Sequence, residues 1–250
     1  MTRLQRYKSW RQRVMDAFLG HHKTPIVILL SRSRSGSNYL KSLLNSHPRI
    51  CLEGEIFRRE EEAAREFDSK LDRKAWTVRG AKLFYYHPLN SADRTIWDLI
   101  AQSTRVRIIH LHRTSVIRLH VSSLIAQKTG EWHSNKSSAP TKESNDKRIR
   151  VNLDNLSHEI TFMKECRERA LERCSNRPIL ELTYEDLVRS PQAHLDQIFD
   201  FLNLPRVHVS STLKKQNPEP LDELIENFEE VEAFASTRGI DLNGLGHEIL

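Results

Sequence analysis

Ile26-Val27-Ile28-Leu29-Leu30-Ser31-Arg32-Ser33-Arg34-Ser35-Gly36-Ser37-Asn38 decides the architecture. The unbroken apolar run reads as a buried β-strand. It passes straight into a turn of small residues carrying arginines, and the spacing predicts a helix from about Tyr39. That is the layout of a phosphate cradle. Backbone N–H groups at a helix N-terminus, the positive end of the helix dipole and the hydroxyls of Ser35 and Ser37 would converge on an anion. Laid on G-x-x-x-x-G-K-[ST], the stretch has Ser31 for the first glycine, Gly36 for the second, Ser37 for the lysine and Asn38 for the magnesium-binding hydroxyl. The pattern keeps an anion and excludes a magnesium-bound nucleoside triphosphate.

Outward from this stretch, strands alternate with helices. After the helix 39–45, Pro48 stops the chain and Arg49-Ile50-Cys51-Leu52 reads as a short strand. Residues 58–74 carry alternating charge, the mark of an exposed helix, and Trp76–Tyr86 reads as a second buried strand with Lys82 inside it. A helix over 93–102, a strand Val106–His112 and a helix Val116–Lys128 follow, with Arg113-Thr114-Ser115 as another strand-to-helix turn. A long helix from Leu153 to Cys174, a strand Pro178–Leu182 and an amphipathic helix with Leu195, Ile198, Phe199 and Leu202 complete the series. This order predicts an α/β protein whose sheet is parallel and covered on both faces.

The flanks are less regular. Leu4, Tyr7, Trp10, Val14 and Phe18 recur at helical spacing among arginines, so residues 1–22 read as a basic amphipathic helix. Such a helix packs on its own domain or makes peripheral contact with a membrane surface or partner. Residues 134–148 hold almost nothing apolar and read as a mobile loop, either a lid or plain surface.

The chain has 250 residues, 38% hydrophobic and 29% charged, which suits one soluble globular domain over 1–250. Its net charge of +6 fits an anionic ligand. The charges are scattered, with no aromatic-rich basic strip, so no nucleic-acid partner is expected. Three cysteines without a C-x-x-C pair indicate neither a disulfide framework nor a zinc site, and suit a reducing compartment. No stretch reaches the roughly 18 to 20 apolar residues of a membrane span, and there is no apolar leader, so a cytoplasmic location is expected. Composition is silent on oligomeric state.

The strand–turn–helix units at 26–45 and 106–128 put two anion-friendly turns at the carboxyl ends of parallel strands, where open α/β sheets bind ligands. One ligand with two separated phosphates fits both. On these residues the chain resembles the sulfotransferases that use 3′-phosphoadenosine 5′-phosphosulfate (PAPS). Ser33-Arg34-Ser35-Gly36-Ser37-Asn38 is similar to the family's 5′-phosphosulfate loop. Arg113 with Ser122 resembles its 3′-phosphate pair, one residue wider than in many members and with Ser123 adjacent. Gly80–Tyr86, Thr129–His133, Thr183–Leu187 and Lys215-Gln216-Asn217-Pro218 are similar to further family segments, the last to a late loop that closes over the nucleotide. The similarity covers about residues 25–235.

The resemblance implies a three-layer α/β/α fold, P-loop NTPase-like, with a central, mainly parallel sheet. It implies PAPS as co-substrate, no metal, and transfer of a sulfonate to a small-molecule hydroxyl, as in bacterial members that modify carbohydrates or glycolipids. Arg34 would meet the bridging oxygen and the sulfonate. Ser35, Gly36, Ser37 and Asn38 would hold the 5′-phosphate, Arg113 and Ser122 the 3′-phosphate, and Lys215 the closed nucleotide. Tyr39 would stack on adenine, or pack in the core. Glu55 is the expected general base, with Glu53 and His87 as rivals. Lys82 would touch the sulfonate or pair with a structural carboxylate, because a buried ammonium needs an anion. Trp132 and His133 would face the acceptor, or Trp132 would anchor the core. Tyr184, Glu185 and Asp186 are expected to cap the helix after them. Two other classes stay open at this stage, a kinase of related fold and a non-catalytic nucleotide-binding protein.

Overall fold

The computed structural model describes residues 25–58, 77–89, 95–132, 147–211, 213 and 216–242. The expected helices 1–22 and 58–74, nearly all of the 134–148 loop, His133 and Lys215 lie outside the described residues.

The chain forms two compact units. The first carries a five-stranded sheet of β1 (Ile26–Ser31), β2 (Ile50–Glu53), β3 (Val78–Phe84), β4 (Val106–His112) and β5 (Ile179–Thr183). Every pairing is parallel, and the spatial order is β2-β3-β1-β4-β5. β1 is central, with Ile26 in register with Arg79 of β3 and with Val106 of β4. That position explains its apolar run, because Val27 to Leu30 are at most 1% exposed and neither face meets water.

Each face of the sheet has its own core. On one side Ile28, Leu30, Leu83 and Ile108 pack with Trp97, Leu99 and Ile100 of α2 (Thr95–Gln102) and with Cys166, Ala170 and Cys174 of the C-terminal part of α4 (Leu153–Cys174). On the other, Val27, Leu29, Ile109 and Leu111 meet Leu40, Leu43 and Leu44 of α1 (Ser37–Asn45) and Leu195, Ile198 and Phe199 of α6 (Pro191–Phe201). The leucines of α1 sit at i, i+3 and i+4, one helical stripe, and each fully buried side chain contributes about 2 kcal/mol. Helices on both faces of a parallel sheet make the three layers expected, with the central sheet wholly parallel.

Element boundaries follow local chemistry. α1 starts at Ser37, ahead of the expected Tyr39, because Gly36 adopts φ +87° and already accepts the N–H of Leu40. β3 is shorter than the expected Trp76–Tyr86, since residues 85 and 86 turn away after Tyr85 donates its N–H to the Ser31 carbonyl. β4 and α4 have the expected bounds. Thr183 caps α5 (Tyr184–Arg189), its Oγ1 accepting from Asp186 N at 3.0 Å.

The second unit comprises residues 33–35, 113–164 and 212 onward. Its core joins Ile117, Val121 and Ile125 of α3 (Val116–Thr129) to Leu221 and Leu224 of α7 (Leu221–Leu224) and to Val231 and Phe234 of α8 (Phe228–Thr237). Ser115 caps α3 by accepting from Arg118 N at 3.2 Å. A parallel bridge pairs Ile149 with Ile225, and Asn227 closes both backbone groups of Val151 at 2.9 and 3.0 Å.

Candidate active site

In the first unit, three residues singled out from the sequence meet. Lys82 rises from β3, 2% exposed, and its Nζ donates to Asn38 Oδ1 at 2.6 Å and to Glu55 Oε1 at 3.2 Å, with the Phe84 ring 5.3 Å away. Asn38 lies in the first turn of α1, whose leading backbone N–H groups have no partner within the helix. Glu55 is placed by a backbone turn. Lys82 N donates to the Gly54 carbonyl at 3.1 Å, extending the β2–β3 pairing by one residue, and Arg58 N then closes on the Glu55 carbonyl at 2.9 Å. The chain is therefore extended only to Glu53, so Glu53 and Glu55 do not share one side of a strand as an extended chain would have them.

Burial lowers the Lys82 pKa, while the Glu55 charge and hydrogen bond pull it back up. Glu55, with 27% of its side chain exposed, keeps access to solvent while holding that ammonium. The rival His87 is 3% exposed, and burial, aided by the charges of Arg58 and Lys82, pushes its pKa down to about 4, so its imidazole is neutral at pH 7. Its Nδ1 accepts from Phe84 N at 3.4 Å.

Gly36 has two requirements that no other residue meets. Its φ of +87° is left-handed, and a Cβ there would stand 2.2 Å from Cδ2 of Tyr184. Tyr184 is thus a wall of the loop as well as the first residue of α5, a role the sequence reading missed because nothing local marks a ring lying over a glycine 148 positions away. Ser37 is 4% exposed, and Tyr39 packs against the apolar cluster of α1 and α6, which matches its core reading.

In the second unit Arg34, at φ +65°, spends its whole guanidinium on neutral oxygens. Nε donates to Ser122 Oγ at 2.9 Å, one terminal nitrogen to the Trp132 carbonyl at 2.9 Å, and the other to Gln216 Oε1 at 2.5 Å. Asn217 Nδ2 also reaches Ser122 Oγ at 3.4 Å. Burial lowers the Arg34 pKa and the like charge of Arg113 lowers it further, so the positive fields of the two overlap. Such a pair suits a polyanionic ligand. Ser35 is fully buried. Lys147 Nζ braces the late loop through Glu219 Oε1 at 2.7 Å and the Gln216 carbonyl at 3.0 Å. Gln216 is the partner of Arg34 that sequence reasoning did not single out. Trp132 contributes its carbonyl, and its side chain is 45% exposed, which is no core anchor.

A parallel α/β sheet whose central strand runs into a left-handed glycine and a helix N-terminus defines the P-loop-like class of anion-binding proteins. Comparison with known proteins narrows the class. Residues 104–208 match the model of a sulfotransferase family. Nodulation protein H of Rhizobium meliloti is 26% identical over 235 residues, covering 83% of this chain and 89% of the relative. Nodulation protein H of Rhizobium tropici is 26% identical over 226 residues, covering 82% and 86%. The crystal structure of a sulfotransferase from Alicyclobacillus acidocaldarius shares the fold, with a TM-score of 0.55 and 16% identity over 92% of this chain and 98% of that one. The chain is thus similar to sulfotransferases over residues 104–208 and, at lower identity, over most of its length. Among the described residues no helix is long and apolar enough to cross a membrane.

Proposed function

We propose that the protein is a sulfotransferase that moves a sulfonate from PAPS to a hydroxyl of a carbohydrate or glycolipid acceptor, with Glu55 as general base, in preference to a kinase or a non-catalytic nucleotide-binding protein. The observation that carries the reading is Lys82, a buried cation that touches both the expected base and the first turn of the phosphate-loop helix. Glu55 takes the acceptor proton, the acceptor oxygen attacks sulfur in line, and the bond from sulfur to the bridging oxygen breaks. Its electron pair stays on the 5′-phosphate, leaving 3′,5′-adenosine bisphosphate. Lys82 holds the carboxylate aimed and supplies positive charge beside the loop. Arg34 serves the bridging oxygen and the sulfonate, exchanging some of its neutral partners for the donor's oxygens. Arg113 and Ser122 take the 3′-phosphate. As in phosphoryl transfer, most of the catalysis is positioning and electrostatics. The cytoplasm is the proposed location, consistent with the lack of a disulfide among Cys51, Cys166 and Cys174.

Titration calorimetry without magnesium tests the donor. Wild type should bind 3′,5′-adenosine bisphosphate in preference to ATP, and Arg113→Ala should lose that binding. Equal binding of ATP, or an unaffected Arg113→Ala, overturns the donor assignment. An acceptor screen with labelled PAPS then tests the carbohydrate class.

A further inference from the structure

Away from Lys82 and Glu55, the carboxyl ends of β4 and β5 bring together residues that the sulfotransferase chemistry above does not use. His110 and Glu181 are in direct register across the two strands, and His112 lies two residues further on the same face of β4. One ligand atom from each of the three lies within 4.8 Å of the others. His110 Nδ1 is 2.9 Å and His112 Nδ1 3.6 Å from Glu181 Oε2. Donors bound to a tetrahedral zinc ion stand about 3.4 Å apart, a value that falls between these two separations.

Two further observations distinguish this cluster from an ordinary buried histidine pair. His112 is 8% exposed, yet among the described residues neither of its ring nitrogens has a hydrogen-bond partner. A buried imidazole with two unused nitrogens costs stability unless something uses them. The outer nitrogen of His110, Nε2, sits 2.7 Å from the Tyr85 hydroxyl, and burial raises the pKa of that phenol, so it stays protonated. A hydroxyl on the far nitrogen orients the ring and leaves Nδ1 to face the other ligands, the outer-shell arrangement of metal-binding histidines.

We propose that His110, His112 and Glu181 form a site for a divalent transition ion of the zinc class, which clamps β4 to β5 and leaves a fourth position to water. Two imidazoles and one carboxylate favour zinc, copper or nickel over magnesium or calcium. The side chain of Glu181 is 50% exposed and offers the ion a way in. The charges facing the cluster are mixed. Arg167 of α4 acts on His112, Glu181 and Tyr85, Arg32 acts on Tyr85, and Asp186 of α5 acts on His112. Arg167 therefore weakens cation binding, and its removal should strengthen it.

Equilibrium dialysis of the full chain against Zn²⁺, with Mg²⁺ as control, tests the site. One Zn²⁺ per chain is expected, with binding at least tenfold weaker in His112→Ala and Glu181→Gln and tighter in Arg167→Met. Zn²⁺ should raise the thermal midpoint of wild type and leave that of His112→Ala unmoved. Should His112→Ala fail to fold by circular dichroism, His112→Gln and Arg167→Met carry the same test. Binding no stronger than that of Mg²⁺, unchanged binding in the His112 variant, or weaker binding in Arg167→Met overturns the proposal. The chain has 12 histidines, and Zn²⁺ held by others would survive the His112 change.

Discussion

Lys82 and Arg34 are both largely buried cations beside the same loop sequence, and the protein treats them in opposite ways. Lys82 is neutralised inside its own unit by Glu55. Among the described residues Arg34 donates to uncharged acceptors, Ser122, Gln216 and the Trp132 carbonyl, and feels the like charge of Arg113. The first arrangement spends a charge on internal order. The second keeps one in reserve, because neutral oxygens hold a guanidinium in place without compensating its charge. Lys82 should therefore matter to folding and to aiming Glu55, and Arg34 chiefly to the ligand.

The sharpest way to break this contrast is kinetic. Glu55→Gln should lower kcat by about 10² to 10⁴-fold, and Arg34→Ala by about 10² to 10³-fold, the loss typical of one oxyanion-stabilising donor. Arg34→Ala should cost about 1 kcal/mol or less of stability in urea unfolding, since only neutral partners are released. Glu55→Ala strands the Lys82 ammonium and should cost about 3 kcal/mol. Lys82→Met leaves a carboxylate that already reaches water, so its cost should be nearer 1 kcal/mol. A larger stability loss in Arg34→Ala than in Glu55→Ala would reverse the comparison.

Gly36→Ala tests the turn ahead of α1 within the first unit. It should cost about 2 kcal/mol from the left-handed backbone and the Tyr184 ring, and Tyr184→Ala in the same chain should restore only the part due to the ring. A full rescue would show that backbone strain contributes nothing.

Acid should weaken the first unit next. His87 and His112 titrate near 4 in the native protein, against an ordinary value of 6.5. The unfolded chain takes up protons as pH falls through 6.5, whereas the native chain resists until about 4, so stability declines across that window and levels off below it. The loss is on the order of 3 kcal/mol per histidine. Urea midpoints at several pH values in the presence of a chelator measure it, and His87→Asn should flatten the slope. The smallest effect is expected for Ser122→Ala, about 1 kcal/mol or a few-fold in donor affinity.

The fold was legible because its strongest signals are local. The apolar run at 26–30, the stop at Pro48 and the strand-to-helix turn at Arg113-Thr114-Ser115 each act within a few residues, and each element formed where they point. In the candidate site Lys82, Glu55 and Asn38 were named before their contact was known, since a lysine inside a buried strand requires an anion wherever one comes from. Tyr184 over Gly36 and Gln216 on Arg34 were not legible. Both are contacts across more than a hundred residues between side chains that are ordinary in their own neighbourhoods.

By itself, then, the sequence determined the α/β alternation, the central strand and the small-residue turn that follows it, because periodicity and turn chemistry are properties of neighbouring residues. Only the tertiary structure decided which cation is neutralised and which is kept, and brought His110, His112 and Glu181 to one place. Those outcomes depend on strand order and register, which pair residues that are distant along the chain.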